Sequence, residues 1–286
     1  IISNQSIDLV AFTGSLKTAK KIHQSLSLKA GKIIPLIAET GGLNAMIVDS
    51  SALLERACDD IVRSAFNSAG QRCSALRLLL IHEEIYPQLI SMLKGAMNDL
   101  TIGAPCDLNV DVGPIINIQS LNKLENYLDK MKSNGHNIFQ ASKESILQDG
   151  CLLSPTLIEL ELSSMSDEEQ FGPILHVVSF SEDTLVDSLK EIDAKGFALT
   201  FGIHTRIDSR ALDVAKHTSS GNIYINRDIV GAVVETQPFG GKNLSGSGFK
   251  AGGPNYLLQF MDERVVTVNT VAIGGNIDLI NLDQDE

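Results

Sequence analysis

Short apolar runs alternate along the chain with longer segments in which apolar residues recur every three or four positions. Strands that alternate with helices are typical of an open, mostly parallel sheet, so the pattern predicts an α/β fold. Strands are predicted within residues 7–13, 32–42, 43–49, 75–85, 137–141, 153–161, 172–180, 198–205 and 222–226. Helices are predicted within residues 16–26, 51–69, 86–100, 120–135, 184–194 and 209–221.

Two carboxyl-terminal segments depart from this alternation. Residues 231–254 contain many glycines, as in "PFGGKNLSGSGFKAGGP", which predicts a long ordered loop or a set of turns. Residues 264–286, "RVVTVNTVAIGGNIDLINLDQDE", come after the main pattern has ended and look like a strand. Such a tail is often a sheet edge that pairs with a neighbouring chain.

The composition is that of a globular protein. With 286 residues, 43% of them hydrophobic, the chain can form one large or two moderate domains. Its apolar runs are far shorter than the roughly 20 residues of a membrane-spanning helix, so we expect no transmembrane segment. The net charge of −12 disfavours a phosphate-binding surface, because nucleic-acid affinity comes largely from clustered Lys and Arg. We expect no nucleic-acid partner for this segment.

The cysteines include a candidate nucleophile. Cys58, Cys73, Cys106 and Cys151 have no CxxC or metal-like spacing, which indicates reduced thiols in a cytosol-like compartment and no metal site. In "NSAGQRCSA", Cys73 lies between a predicted helix and a predicted strand, where its sulfur could be accessible and its backbone N–H could face a reacting oxygen. The alternative is a small buried hydrophobe, which is our interpretation of the other three cysteines.

Two further segments could contribute to a site. Glu39, in "IAETGG", ends an apolar strand, and burial would raise its pKa toward the range of a general base. A solvated loop residue is the alternative. "FTGS", residues 12–15, joins a strand to a helix whose free N–H groups could bind a pyrophosphate, while Gly14 permits close approach. The GxGxxG fingerprint is absent, and strand-Gly-Ser-helix turns are common in any α/β protein.

Five motifs occur in the order "FTGS", "ETGG", "GQRC", "EQFGP" and "QPFGG", and together they resemble the aldehyde dehydrogenase superfamily over nearly the whole chain. Within it, "IAETGGLNAMIVDSSA", "SAFNSAGQRCSALR", "VGAVV", "KAGGPNYL" and "TVNTVAIGGN" are similar to the L-glutamate γ-semialdehyde (1-pyrroline-5-carboxylate) dehydrogenase part of bifunctional proline utilization A flavoproteins. The resemblance implies an aldehyde dehydrogenase-like α/β fold with open, mostly parallel sheets. It also implies a catalytic domain together with part of a Rossmann-like NAD domain.

The resemblance implies roles for individual residues. Cys73 would attack the aldehyde carbon, hydride would pass to NAD, and Glu39 would deprotonate the water that hydrolyses the resulting thioester. The product would be L-glutamate, as in the second step of proline catabolism. The implied cofactor-binding residues are Phe12, Thr13, Gly14, Ser15, Gly41, Glu169, Phe171 and Phe239, with Ser15 on the pyrophosphate and Glu169 on the nicotinamide ribose. The implied substrate-binding residues are Phe66, Ser74, Gly231 and Ala232.

The same resemblance divides the chain. Residues 1–42 would be the second half of the NAD-binding domain, 43–244 the catalytic domain, 245–266 a return segment and 267–286 an oligomerisation arm. In the superfamily an oxyanion asparagine, a lysine that binds the adenosine ribose and the first strands of the dinucleotide fold lie upstream of "FTGS". The proline dehydrogenase domain, which binds FAD, is also upstream. We therefore expect a carboxyl-terminal fragment with poor NAD affinity and little or no turnover alone.

Two other functions remain open on the sequence. One is a different NAD(P)-dependent aldehyde dehydrogenase, and the other is a non-catalytic structural or assembly module. The expected partners are a small-molecule aldehyde and further copies of the chain, bound through the carboxyl-terminal arm. The expected location is cytoplasmic, with the full-length protein peripheral to the inner membrane as the alternative.

Overall fold

The computed structural model describes residues 2, 4–141, 150–269 and 272. The strands are β1 (Val10–Thr13), β2 (Leu36–Glu39), β3 (Ala45–Val48), β4 (Leu78–His82), β5 (Asn137–Gln140), β6 (Thr156–Glu159), β7 (Ile174–Phe180), β8 (Phe197–Ala198), β9 (Thr200–His204), β10 (Asn222–Ile225) and β11 (Lys242–Asn243). The α-helices are α1 (Leu16–Ser27), α2 (Leu54–Phe66), α3 (Tyr86–Asn98), α4 (Ile118–Ser133), α5 (Leu185–Ala194) and α6 (Asp208–Ala215). Apart from β11, each overlaps a segment of the same type predicted from the sequence. Among the residues described, no helix is both long and apolar enough to cross a bilayer.

Seven strands form the main sheet, in the order β10-β9-β3-β4-β7-β6-β5. All neighbouring pairs are parallel except β5 and β6, which are antiparallel. The central strands β3, β4 and β9 are buried at every position. This explains their mostly apolar sequences, since a strand covered on both faces has no polar side. The predicted open, mostly parallel sheet is confirmed.

Helices cover both faces of this sheet. Met46 and Val48 of β3 belong to a core cluster with α2, α3 and α4. Ala45 and Ile47 of the same strand belong to a second cluster with α5 and α6. Because successive side chains of a strand point to opposite faces, one short apolar strand contributes to both cores. The result is a three-layer α/β/α domain.

A smaller unit precedes it. Strands β1 and β2 form a parallel pair that packs on α1 through Ile22 and Leu26. The glycine-rich segment returns to this pair: Thr40 donates its N–H to the carbonyl of Ser245, and Ser247 donates to the carbonyl of Ala38, at 3.0 and 2.9 Å. The segment therefore links the small sheet to the main domain, where β11 pairs antiparallel with β8.

Three connections meet at one edge of the main sheet. The linker before β3, the loop before β4 and the loop before β7 all lie at the amino ends of strands that are neighbours in the order β3-β4-β7. Parallel neighbours place their amino ends side by side, so residues 40–44, 71–77 and 169–173 converge. The small sheet joins the domain at this same edge, since β2 ends at Glu39.

The tail differs from its prediction. Residues 261–269 contain no strand, and Val265 and Val266 are exposed. A strand needs a neighbouring strand for its backbone groups, and no strand among the described residues pairs with residues 261–269. The remainder of the predicted oligomerisation arm, residues 270–271 and 273–286, lies outside the described residues.

Candidate active site

The loop that carries Cys73 begins with an abrupt end to α2. The sequence predicts a helix to residue 69, but α2 stops at Phe66 because Ser68, Ala69 and Gly70 have left-handed φ values of 56°, 52° and 63°. Glycine is required at position 70, since a Cβ there would lie 2.2 Å from the carbonyl oxygen of Gly172. The left-handed turn redirects the chain toward the amino end of β4.

Gln71 and Asn44 then fix the loop. Gln71 donates its side-chain Nε2 to the carbonyl of Pro114 at 3.0 Å and accepts the N–H of Ile116 at 2.9 Å. The Asn44 amide is 2% exposed; it donates to the carbonyls of Cys73 and Ala75 at 2.7 and 2.8 Å. Its oxygen accepts the N–H of Thr200 at 3.1 Å. Asn44 thereby ties the backbone of Cys73 to the sheet.

The Cys73 thiol lies between hydrogen-bond donors and two acids. The side chain is partly exposed, and the backbone N–H groups of Ser74 and Cys73 lower the pKa of its thiol. Burial raises the pKa of Cys73 most, and the carboxylates of Glu169 and Glu39 raise it further. Since both acids influence the thiol, the structure brings together these three residues from separate parts of the chain.

Glu39 sits at the end of β2 against the glycine-rich segment. Its Oε2 accepts the N–H of Gly241 at 2.8 Å. Burial raises the pKa of Glu39 to about 7, against the opposing effects of that hydrogen bond and of the Lys250 ammonium. A carboxyl group with this pKa is half ionised near neutral pH, which suits it to accept a proton from water. A Cβ at Gly246 would lie 2.7 Å from the carboxylate, so glycine leaves it room.

Glu169 is held by a buried guanidinium. Arg77 is 1% exposed, and its Nη2 lies 3.3 Å from Oε1 of Glu169. Arg77 also donates to the carbonyls of Arg72 and Gly172, each at 3.1 Å, and its guanidinium carbon lies 5.4 Å from the centroid of the Phe171 ring. One side chain therefore joins the loop that carries Cys73 to the loop that carries Glu169 and Phe171.

Gly41 and Gly42 lie next to the Glu169 carboxylate. Burial raises the pKa of Glu169, while the Arg77 charge and the N–H of Gly42 lower it. A Cβ at Gly41 would lie 1.8 Å from Oε2 of Glu169. Position 41 thus admits only glycine while the carboxylate stays in place, which gives a steric reason for the "ETGG" motif.

The other predicted cofactor residues fall into two places. Phe12, Thr13, Gly14 and Ser15 end β1 and begin α1, with residues 13–15 exposed and Ser15 as the helix N-cap. Phe239 lies in the glycine-rich segment, where it exchanges backbone hydrogen bonds with Ala251 at 2.9 and 2.8 Å. The Glu39 carbonyl accepts the N–H of Gly14 at 3.0 Å, so the turn at residues 12–15 is anchored to the strand that carries Glu39.

The predicted substrate residues differ in their exposure. Ser74 is buried next to Cys73, whereas Ala232 is exposed in a loop where Gly231 has φ of 96°. Phe66 is 1% exposed and packs in the core cluster beneath α2. The predicted contact of Phe66 with the substrate stays a prediction. Cys58 is buried in the same core, as expected, and Cys151 is half-buried. Cys106 is exposed, so its interpretation as a buried hydrophobe is wrong.

Sequence reasoning missed three residues of the site: Asn44, Arg77 and Lys250. Arg77 had a visible signal, because it is the one charge in the apolar run "ALRLLLI" that becomes β4. A buried guanidinium needs carbonyl and carboxylate partners, and Arg77 has partners of both kinds. Asn44 is uncharged and Lys250 lies in the glycine-rich segment, so neither shows this signal of a charge within an apolar run.

The chain was compared with known proteins. Residues 1–266 match the aldehyde dehydrogenase family. The bifunctional protein PutA of Salmonella typhimurium is 45% identical over 263 residues, which are 89% of this chain and 20% of that protein. A crystal structure of a bifunctional proline utilization A (PutA) protein superposes with a TM-score of 0.88 at 45% identity, covering 96% of this chain and 28% of the other.

A second solved structure is a 1-pyrroline-5-carboxylate dehydrogenase from Thermus with bound NAD. It has a TM-score of 0.83 and 29% identity, and the match covers 93% of this chain and 51% of that one. The chain thus spans about a fifth of the Salmonella protein and about half of the Thermus enzyme.

Proposed function

The chain belongs to the aldehyde dehydrogenase family, and we propose that it supplies the nucleophile and the general base of an enzyme that oxidises L-glutamate γ-semialdehyde to L-glutamate with NAD. The observation that carries the proposal is that the segments of Cys73, Glu39 and Glu169 meet at the amino edge of the main sheet, where Arg77 joins the Cys73 loop to Glu169 and both carboxylates raise the pKa of the thiol. The 1-pyrroline-5-carboxylate dehydrogenase and PutA relatives support the choice of substrate.

Residues of this chain fit two parts of NAD. The amino end of α1 is exposed and has no acidic residue in its first turn, so its unpaired N–H groups can bind a pyrophosphate. Glu169, held by Arg77, offers a carboxylate for the hydroxyl groups of a ribose. NAD, when bound, accepts hydride from the substrate carbon.

The chain's own groups act at the carbonyl carbon and at water. The Cys73 thiolate bonds to the aldehyde carbon, and the carbonyl electron pair moves to the oxygen beside the N–H groups of Cys73 and Ser74. Loss of hydride from that carbon converts the thiohemiacetal to a thioester. Glu39 then takes a proton from water as the water attacks the thioester, the C–S bond breaks, and L-glutamate and the Cys73 thiolate are released.

The substrate carries a carboxylate and an ammonium, and the chain has a net charge of −12, so local donors must bind the carboxylate. Ser74, Gly231 and Ala232 are the proposed donors. Oligomerisation through residues 267–286 and a cytoplasmic location belong to the same proposal, as does the division of the chain at residues 42, 244 and 266.

The acid–base role can be tested in the intact enzyme that contains this chain. With Glu39→Gln, one NADH per site should form in a burst, and the Cys73 peptide should then keep the mass of a glutamyl thioester. Cys73→Ala should give no burst, and Cys58→Ala should turn over like the parent. Steady turnover by the Glu39→Gln enzyme at the parent rate would refute the assignment.

Substrate choice has its own test. Ser74→Ala should lower kcat/KM for glutamate semialdehyde about tenfold relative to a simple alkyl aldehyde, the effect of one lost hydrogen bond to a charged group. Ser133→Ala, at the exposed end of α4, serves as the control. An unchanged preference would favour another aldehyde dehydrogenase activity.

A further inference from the structure

Lys250 reaches the general base through a single peptide unit. Its Nζ donates to the carbonyl oxygen of Gly240, and the next N–H along the chain, that of Gly241, donates to Oε2 of Glu39 at 2.8 Å. The two hydrogen bonds therefore belong to opposite ends of the Gly240–Gly241 peptide. A cation at the oxygen polarises the amide and makes its N–H a stronger donor.

Nearby hydrogen bonds fix the positions of this peptide and of the Lys250 ammonium. The backbone exchange between Phe239 and Ala251 places Lys250 beside Gly240. Asn222 accepts the N–H of Gly240 at 3.2 Å and donates to the carbonyl of Pro238 at 2.8 Å.

Glycines make room for the contact. A Cβ at Gly221 would lie 2.4 Å from the Lys250 Nζ and 2.2 Å from the Gly240 oxygen. A Cβ at Gly240 would lie 3.0 Å from Oε1 of Glu39. Both ends of the connection thus depend on positions without a side chain.

We propose that Lys250 is a positioning residue for Glu39, which orients and polarises the Gly240–Gly241 peptide so that the carboxylate keeps its place and its charge near Cys73. The inference rests on the proposed function of Glu39 as the general base. Lys250 acts on the base through one amide.

The charges around the pair are few. Glu39 faces Lys250 and the Cys73 thiol, and Lys250 faces Glu39 and Lys242. Lys242 lies exposed on β11 and influences Lys250 by charge alone. It therefore provides a matched control, because Lys242→Met removes the same charge from the same region without touching the peptide.

The first readout is the titration of Glu39 itself, which requires no enzyme activity. Carboxyl ¹³C NMR of glutamate-labelled protein, with the Glu39→Gln spectrum to identify the signal, gives the midpoint. Lys250→Met should raise that midpoint by about one pH unit, so that about tenfold less carboxylate is present at pH 6. Lys250→Arg should restore at least half of the difference. Folding of each variant is checked by circular dichroism.

The result that overturns the inference is a Glu39 midpoint in Lys250→Met no higher than that in Lys242→Met.

A second readout distinguishes failure of the inference from failure of the proposed function. In the intact enzyme, the pH profile of thioester hydrolysis should shift with the NMR midpoint, while the NADH burst stays unchanged. If the midpoint moves and the hydrolysis profile does not, the general-base role of Glu39 is wrong and the coupling to Lys250 stands.

Discussion

Asn44→Ala removes the side chain that ties the nucleophile's loop to the sheet. The Asn44 amide makes three hydrogen bonds, to the carbonyls of Cys73 and Ala75 and from the N–H of Thr200. All three partners belong to backbone at the amino ends of β4 and β9. Alanine fills none of these roles, so two carbonyls and one N–H lose their partner.

The size of the effect follows from that count. A hydrogen bond contributes about 1 kcal/mol net, so the loss of three predicts a decrease of about 3 kcal/mol in the free energy of unfolding. Of the three residues that Asn44 binds, Cys73 is the one that is partly exposed, so its backbone should become mobile first. We therefore also expect its alkylation by iodoacetamide to accelerate relative to that of buried Cys58.

Urea denaturation measures the first quantity, and mass spectrometry of alkylated peptides measures the second. Asn134→Ala is the matched control, since Asn134 is exposed at the end of α4 and should change stability by less than about 0.5 kcal/mol. A loss below about 1 kcal/mol for Asn44→Ala, with an unchanged alkylation rate, would show that the loop holds its shape without the amide.

Two further outcomes are expected. Arg77→Met should lower the free energy of unfolding, measured in urea, by about 3 kcal/mol or more, because Glu169 and two carbonyls lose their buried donor. Arg264 is exposed, so Arg264→Met should have no such effect. In the folded chain the pKa of Glu39 is about 7, above the ordinary 4.5. Protonation of Glu39 therefore stabilises the fold fully below about pH 4.5, and this stabilisation is lost as the pH rises to 7. Glu39→Gln should therefore stabilise the chain at pH 8 and not at pH 4, and equal effects at both would contradict the raised pKa.

The strands and helices were predictable because each depends on local spacing. The β3 segment "AMIV" and the α2 segment "LERACDDIVRSAF" carry their burial pattern in consecutive residues. The end of α2 was not predictable in this way. Ser68 and Ala69 have no intrinsic preference for left-handed backbone, and the turn exists because the surrounding structure enforces it.

The site was predictable only in part. Cys73 and Glu39 were singled out from their local sequence and Glu169 only through the resemblance of ordered motifs, and the segments that carry them converge in the fold. The side chains that hold them were missed because each contact joins distant segments. The Asn44 bond to Thr200 spans 156 residues and the Gly241 bond to Glu39 spans 202. No window along the sequence contains both partners.

The backbone before Cys73 connects these observations. Left-handed conformations at Ser68 and Ala69 each cost about 1 kcal/mol or more, and a helix could end with a single glycine instead. The cost is offset by a loop held at several points, by Gln71 on residues 114–116 and by Asn44 on the sheet. The turn places Cys73 at the sheet's amino edge, where the backbone N–H groups of Ser74 and Cys73 lower the pKa of its thiol against the effect of burial. There the small sheet brings Glu39 and the β7 loop brings Glu169, so the strained turn lies where the proposed chemistry needs the cysteine.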